Sequence, residues 1–281
     1  MLNLNITKRL LICALPITTV NDIEVYYERH GKGPNLLHIC GTGSDLREKP
    51  NIFDTPLSKQ FNILSYDQRG MGQTSKPDIS YTMAGYADDA SRLLDALDWK
   101  KTHVLGVSFG GMVAQELALR HPHKIKKLVL ACTSSGGRGG SSYPFQMLSN
   151  LSAEERARTL IPVMDTRRDE EWRKLNSEQY EAILRSWMEP SRFESEQNRK
   201  VGSRRQLEAR RDHNTYDRLH LLTMPSYICG GKYDGNSLPE NLKAMHEVIP
   251  GSRLEFFEGG HGFLDQDPAA YKKIAEFLLK P

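Results

Sequence analysis

The chain has 281 residues, of which 38 % are hydrophobic and 26 % charged, with a formal net charge of +3. These are the proportions of a soluble globular protein long enough to bury a substantial core, and the charge is too small to point to nucleic acid as a partner. The four cysteines, Cys13, Cys40, Cys132 and Cys229, have no metal-ligand or disulfide-framework spacing, which suits a reducing compartment.

Residues 1–16 read as an extension ahead of the fold. Lys8-Arg9 precedes an apolar run from Leu10 to Leu15, the outline of a signal peptide. The run is short, Pro16 interrupts it and no small-x-small cleavage site follows. It is also too short to span a bilayer. A cytoplasmic location without a membrane partner is expected, with secretion by this weak signal as the alternative.

From residue 17 onward, strand and helix signals alternate. Residues 23–28 alternate in part between apolar and polar and predict an edge strand. The runs 36–40, 62–66, 104–107 and 127–132 are short and apolar, as a parallel sheet buried on both faces requires. A helix is expected near 81–97, with Leu93, Leu94 and Leu97 on one face. The Gly/Ser stretch 133–142 predicts a flexible loop. No strand signal returns until Ser226.

Between these points the signals are helical. Ser152 and Glu155 form a capping box, and Tyr180, Ile183, Leu184 and Trp187 make a stripe ended by Pro190. The stripe is expected to pack this segment onto the core. The segment's basic and acidic residues are interleaved and read as a solvated face. Gln206, Arg210, Arg211 and His213 are its candidates for facing a pocket. Residues 225–230 then predict a buried strand and 253–257 another. Ser237 to Glu240 read as a capping box with Pro239 in the first turn, and Asp267-Pro268 opens a last helix carrying Tyr271, Ile274 and Leu278.

The chemistry is carried by Gly106-Val107-Ser108-Phe109-Gly110, a G-x-S-x-G pattern between an apolar run and a helical stretch. A turn this sharp strains the serine backbone and needs small residues at 106 and 110, so the hydroxyl stands clear of the sheet. A serine hydroxyl needs a base, and the base needs an orienting carboxylate. Asp234 follows the strand 225–230 in a Gly-Lys-Tyr-Asp-Gly turn. His261 follows the strand 253–257 in a Gly-Gly-His-Gly loop. The chain order Ser108, Asp234, His261 is that of one serine-hydrolase arrangement among several.

From about Ile17 to its end the chain resembles α/β-hydrolases. Besides the serine turn, the resemblance rests on His38-Ile39-Cys40-Gly41-Thr42-Gly43 after an early strand and on Tyr66-Asp67-Gln68-Arg69-Gly70-Met71-Gly72 after the next. It implies a mostly parallel eight-stranded sheet with helices on both faces. The core would comprise 17–142 and 219–281, with a helical cap inserted at 143–218. In that strand order the strand of Ser108 separates Cys40 from Cys132 by about 9–10 Å, too far to bridge. Cys132 and Cys229 would lie on neighbouring strands.

The resemblance also implies a nucleophile, Ser108, with His261 as base and Asp234 as its orienter, and backbone N–H groups of Thr42 and Phe109 as the oxyanion hole. Many relatives read His-Gly-x in that loop, whereas Cys40 stands here in the His place. The finer likeness is to 3-oxoadipate enol-lactonases, aminoacrylate hydrolases and esterase-like proteins. It implies cleavage of an ester or lactone of a small to medium carboxylic acid, with that small molecule as partner and no metal or other cofactor. The alternatives are carbon–carbon bond hydrolysis, cofactor-free perhydrolysis and, outside enzymes, a ligand-binding receptor. Carbon–carbon hydrolases often carry Trp after the catalytic His, where this chain has Gly262-Phe263.

Overall fold

The computed structural model describes residues 16–190 and 192–280. The expected extension, apart from Pro16, and Cys13 lie outside them. Eight strands form one sheet: β1 (Ile17–Val20), β2 (Ile23–His30), β3 (Asn35–Ile39), β4 (Asn62–Tyr66), β5 (Thr102–Val107), β6 (Ile125–Ala131), β7 (Ser226–Gly231) and β8 (Arg253–Phe257). Their spatial order is β1-β2-β4-β3-β5-β6-β7-β8. The pairs β1–β2 and β2–β4 are antiparallel and all the others parallel.

The central parallel strands are mostly apolar because both of their faces are covered. Successive side chains feed two separate cores. Leu37, Leu64, Val104, Leu128 and Ile228 pack on one face against α1 (Met83–Ala96), α2 (Phe109–Arg120) and α7 (Pro239–Val248). Leu36, Ile63, Leu105, Val129 and Tyr227 pack on the other against α8 (Phe263–Gln266) and α9 (Ala269–Leu279).

Five sequence expectations need correction, the last of them in the insertion between β6 and β7. Residues 23–28 are not an edge strand, since β1 pairs outside β2 through a tight turn at Asn21, where φ is 51°. Alternation reports burial on one face, and β2 also shows it because its last residues run out of the core. Residues 133–142 are not a flexible loop. Thr133, Ser134 and Ser135 are fully buried, and Thr133 donates to Ser108 O, Gln115 to Ser134 O and Asn241 to Ser134 Oγ. Here glycine serves close packing: a Cβ on Gly136 would lie 1.9 Å from His213 O.

Ser237 does not cap α7. Its N–H is drawn to Asp234 Oδ1 at 2.9 Å, and Leu238 occupies the cap position without a side-chain bond. The stripe 180–187, finally, does not bind its segment to the core. Tyr180 and Leu184 pack with Ala157 and Ile161 in a separate small cluster, and Trp187 is 39 % exposed.

Between β6 and β7 the described residues hold helices and no strand: α3 (Ala153–Met164), α4 (Glu170–Leu175), α5 (Ser177–Met188) and α6 (Arg199–Arg211). Ser152 and Glu155 form the capping box of α3 in both directions, at 3.2 and 2.8 Å. The basic residues of α6 are not all solvated, because Arg199 and Arg210 are buried. Among the described residues no helix is long and apolar enough to cross a membrane.

Candidate active site

Ser108 stands between β5 and α2 with φ 54° and ψ −117°, a conformation that costs a non-glycine residue energy and needs surrounding structure to hold it. Its N–H donates to Ala131 O at 2.9 Å and its carbonyl accepts Thr133 Oγ1 at 2.7 Å. The flanking glycines admit the close approach. A Cβ on Gly106 would lie 2.5 Å from Gly110 O, and one on Gly110 would lie 2.0 Å from Ile39 O.

The structure brings all three predicted polar residues together from loops at the C-terminal ends of the strands. His261 Nε2 is 2.9 Å from Ser108 Oγ, and His261 Nδ1 is 2.8 Å from Asp234 Oδ2. Asp234 is buried, and its other oxygen accepts the N–H groups of Asn236 and Ser237 at 2.8 and 2.9 Å. The carboxylate is therefore fixed in position. The His261 loop is held by its N–H, which donates to Met164 O at the end of α3. A Cβ on Gly260 would lie 2.1 Å from that same carbonyl.

Asn236 is a member of the site that sequence reasoning missed. Its Nδ2 is 2.9 Å from His261 Nε2, and its Oδ1 accepts Arg210 Nη2 at 3.2 Å. Arginine can only donate, so the amide oxygen faces Arg210 and the amide N–H faces the imidazole. Nε2 is then the acceptor nitrogen and Nδ1–H points to Asp234, the tautomer a general base requires. An asparagine two residues after an aspartate reads as turn chemistry, so no sequence signal marks it.

The loop after β3 runs past the serine. A Cβ on Gly41 would lie 3.6 Å from Ser108 Cβ. Among the described residues no hydrogen bond engages the Thr42 N–H. Phe109 is the first residue of α2, so its N–H has no acceptor within the helix and lies at the helix's positive end. The loop is held by Gln68 Nε2 on Cys40 O (2.9 Å), by Gln206 Oε1 on Gly43 N (2.8 Å) and by Arg199 Nη2 on Gly43 O (3.1 Å). Of the four polar residues expected to face a pocket, Gln206 thus reaches this loop. Arg210 and His213 are buried beside Asn236 and Ser134, Arg211 pairs with Asp212, and all three line a cavity of about 260 Å³.

Burial pushes the Cys40 thiol up to about 12, and Cys132 and Cys229 rise for the same reason, so none is a thiolate near neutrality. All three are free, and Cys132 and Cys229 sit on neighbouring chain segments as expected. Burial also pushes His38 down to about 4. A cleft of about 510 Å³ opens beside His261, lined also by Gly41, Ser44, Val107, Leu264 and Tyr271. Phe263 is buried behind it, stacked on Phe257.

The family model described as alpha/beta hydrolase fold matches residues 36–268. A poly(3-hydroxyalkanoate) depolymerase of Ectopseudomonas oleovorans is 29 % identical over 237 residues, covering 82 % of this chain and 78 % of that protein. A 2-hydroxymuconate semialdehyde hydrolase of Pseudomonas sp. (strain CF600) is 33 % identical over 117 residues, covering 41 % of this chain and 40 % of that one. The crystal structure of the enol-lactonase from Burkholderia xenovorans LB400 superposes with a TM-score of 0.75 at 21 % identity, over 94 % of this chain and 100 % of that one. With its sheet order, its strained serine turn and a family match spanning most of its length, the chain belongs to the alpha/beta hydrolase fold family and is a hydrolase of that fold.

Proposed function

We propose that the protein is a serine hydrolase that cleaves an ester or lactone of a small to medium carboxylic acid through an acyl-enzyme. The observation that carries this is the continuous Ser108–His261–Asp234 hydrogen-bond chain, at 2.9 and 2.8 Å. Ser108 Oγ attacks the acyl carbonyl while its proton passes to His261 Nε2, and Asp234 stabilises the resulting imidazolium. The Thr42 and Phe109 N–H groups receive the developing oxyanion. His261 then gives its proton to the leaving oxygen. Water, deprotonated by His261, attacks the acyl-enzyme, and His261 returns that proton to Ser108 Oγ as the bond to the acyl group breaks and the acid leaves. The helical insertion at 143–218 acts as a cap over this site.

The test is a steady-state assay on p-nitrophenyl acetate and butyrate with parallel fluorophosphonate labelling. Ser108→Ala is expected to abolish labelling and to lower kcat by about 10⁴-fold or more, and Asp234→Asn by about 10³–10⁴-fold. Full labelling of the Ser108→Ala protein would overturn the assignment, and a single slow turnover would favour a receptor. The stretch shared with a 2-hydroxymuconate semialdehyde hydrolase favours carbon–carbon cleavage as a second reading. Turnover of a vinylogous β-diketone acid without turnover of any ester would select it.

A further inference from the structure

Asn236 is only 2 % exposed and is fixed from three directions. Its backbone N–H donates to Asp234 Oδ1 at 2.8 Å, its backbone carbonyl accepts the Tyr143 N–H at 2.8 Å, and its Oδ1 accepts Arg210 Nη2 at 3.2 Å. The amide nitrogen is thereby aimed at His261 Nε2, 2.9 Å away, and among the described residues it has no other partner.

This makes one donor too many at Nε2. With Nδ1–H on Asp234, Nε2 has a single lone pair in the ring plane. Ser108 Oγ, also at 2.9 Å, needs that lone pair to lose its proton. Asp234 already fixes the ring, so the amide is not required to hold it at rest. Once Nε2 has taken the serine proton, the N–H groups of His261 and Asn236 face the same space, and two donors have nothing to offer each other. The next event in ester cleavage brings an acceptor there. The leaving oxygen has to come within hydrogen-bond reach of Nε2 to receive the proton, and its lone pairs can accept from both donors. The N–H groups of Thr42 and Phe109 are assigned to the acyl oxygen, which leaves Nδ2 for the oxygen that departs.

We propose that Asn236 is a catalytic residue whose Nδ2–H donates to the leaving oxygen, so that the site is suited to esters of unactivated alcohols, whose oxygen departs only with help. This rests on the serine-hydrolase reading above. As the tetrahedral intermediate collapses, the carbon–oxygen bond to the leaving group breaks and its electron pair moves onto that oxygen. Nε2 gives its proton to the same oxygen, and the acyl C=O re-forms. Nδ2–H stabilises the charge on the oxygen while the proton is in transit. The guanidinium of Arg210 on the amide oxygen polarises the amide and strengthens its N–H as a donor.

The test measures kcat/KM, which reports the steps through acylation, for the butyrate esters of p-nitrophenol, phenol, trifluoroethanol and ethanol. In Asn236→Leu the value is expected to fall about 3-fold for the p-nitrophenyl ester and about 100-fold for the ethyl ester, with intermediate losses in the order of alcohol basicity. A residue that merely held the imidazole would lower all four by one factor, because every ester needs the same base. An equal loss across the series, or no loss with the ethyl ester, would therefore overturn the proposal. So would a wild-type rate that falls from p-nitrophenyl to ethyl as steeply as the variant's. Should Asn236→Leu lose its cooperative urea transition, Asn236→Asp keeps the size and the acceptor for Arg210 while lacking the donor, and the same graded loss is expected of it. Wild-type protein that cleaved none of the four esters would count against the serine-hydrolase reading itself, whereas an ungraded loss would leave that reading standing.

Discussion

At the scale of single residues, chemistry here is decided by which groups burial silences. Cys40 stands within one residue of the serine-facing loop and is the most reactive side chain nearby in principle. Loss of solvent pushes its thiol up to about 12, however, the charge of Asp67 adding to the rise and the Ser65 hydroxyl at 3.5 Å opposing it only in part. At pH 8 the thiol is therefore held in its protonated form. Iodoacetamide at that pH is therefore expected to leave the proposed ester hydrolysis intact and the Cys40 peptide unmodified by mass spectrometry. Rapid inactivation with Cys40 alkylated would contradict this. Ser108, by contrast, is held in its strained conformation from both sides, by Ala131 O and by Thr133 Oγ1. The strain is thus borne by the strand ends around it and not relieved by movement of the hydroxyl.

At the scale of elements, the turn after β4 joins three pieces of the core. Arg69 donates through Nε and Nη2 to both oxygens of Asp89 on α1, each at 2.8 Å, and to Asp22 in the β1–β2 turn at 2.7 and 3.0 Å. Arg69 and Asp89 are both buried, whereas Asp22 is half exposed. Removing one partner of a buried pair leaves the other charged and unsolvated. Arg69→Met is therefore expected to lower stability by about 3–5 kcal/mol, read from urea unfolding. The double variant Arg69→Met/Asp89→Leu should recover most of that loss. If the single variant lost less than about 1 kcal/mol, the triad of charges would not be what fastens α1 to the first hairpin. The neighbouring Gly70 has a different reason to be glycine. It has φ 83°, and a Cβ on Gly202 of α6 would lie 2.0 Å from its carbonyl oxygen, so α6 packs directly on this turn.

At the scale of the molecule, the helical insertion contributes hydrogen bonds to the loops of the site. The end of α3 supplies the carbonyl that holds His261 N–H, and α6 supplies Gln206 and Arg199 to the loop of Thr42. Deleting 143–218 is thus expected to disorder the Ser108–His261 contact and not simply to widen specificity. The fastening of α6 is also acid-sensitive. Burial pushes the Asp45 carboxyl upward, but hydrogen bonds from Arg47 and the charge of Arg199 outweigh it and hold the group below its ordinary value of 3.8. A lowered folded pKa stabilises fully above the unfolded value and is lost as pH falls through the folded one. Below about pH 4, α6 amides should therefore exchange hydrogen faster while those of α2 stay protected. In Asp45→Asn, which leaves Arg199 unpaired, α6 should exchange fast already at pH 7 and show no further acid step. Simultaneous loss of protection in α2 and α6 would show that Asp45 fastens nothing in particular.

The sequence by itself determined the apolar strands of the parallel part of the sheet, the serine turn and the chain order of Ser108, Asp234 and His261, but not the outer strand β1. Each of these is local: apolar runs for buried strands, a glycine on either side of a strained residue, and one carboxylate and one imidazole just past a strand end. Only the tertiary structure decided that Asn236 meets both Arg210 and the imidazole, because residues 26 and 25 apart in sequence must come together for that to happen. It likewise decided that the start of the Gly/Ser stretch, residues 133–136, is packed core, since Gly and Ser suit both a mobile loop and a place where backbones touch. The same holds for the charges of α6. A mixed-charge helix reads as solvated, and which of its arginines turn inward depends on what lies across from them: Asp45 for Arg199, and for Arg210 a cavity with no anion of its own.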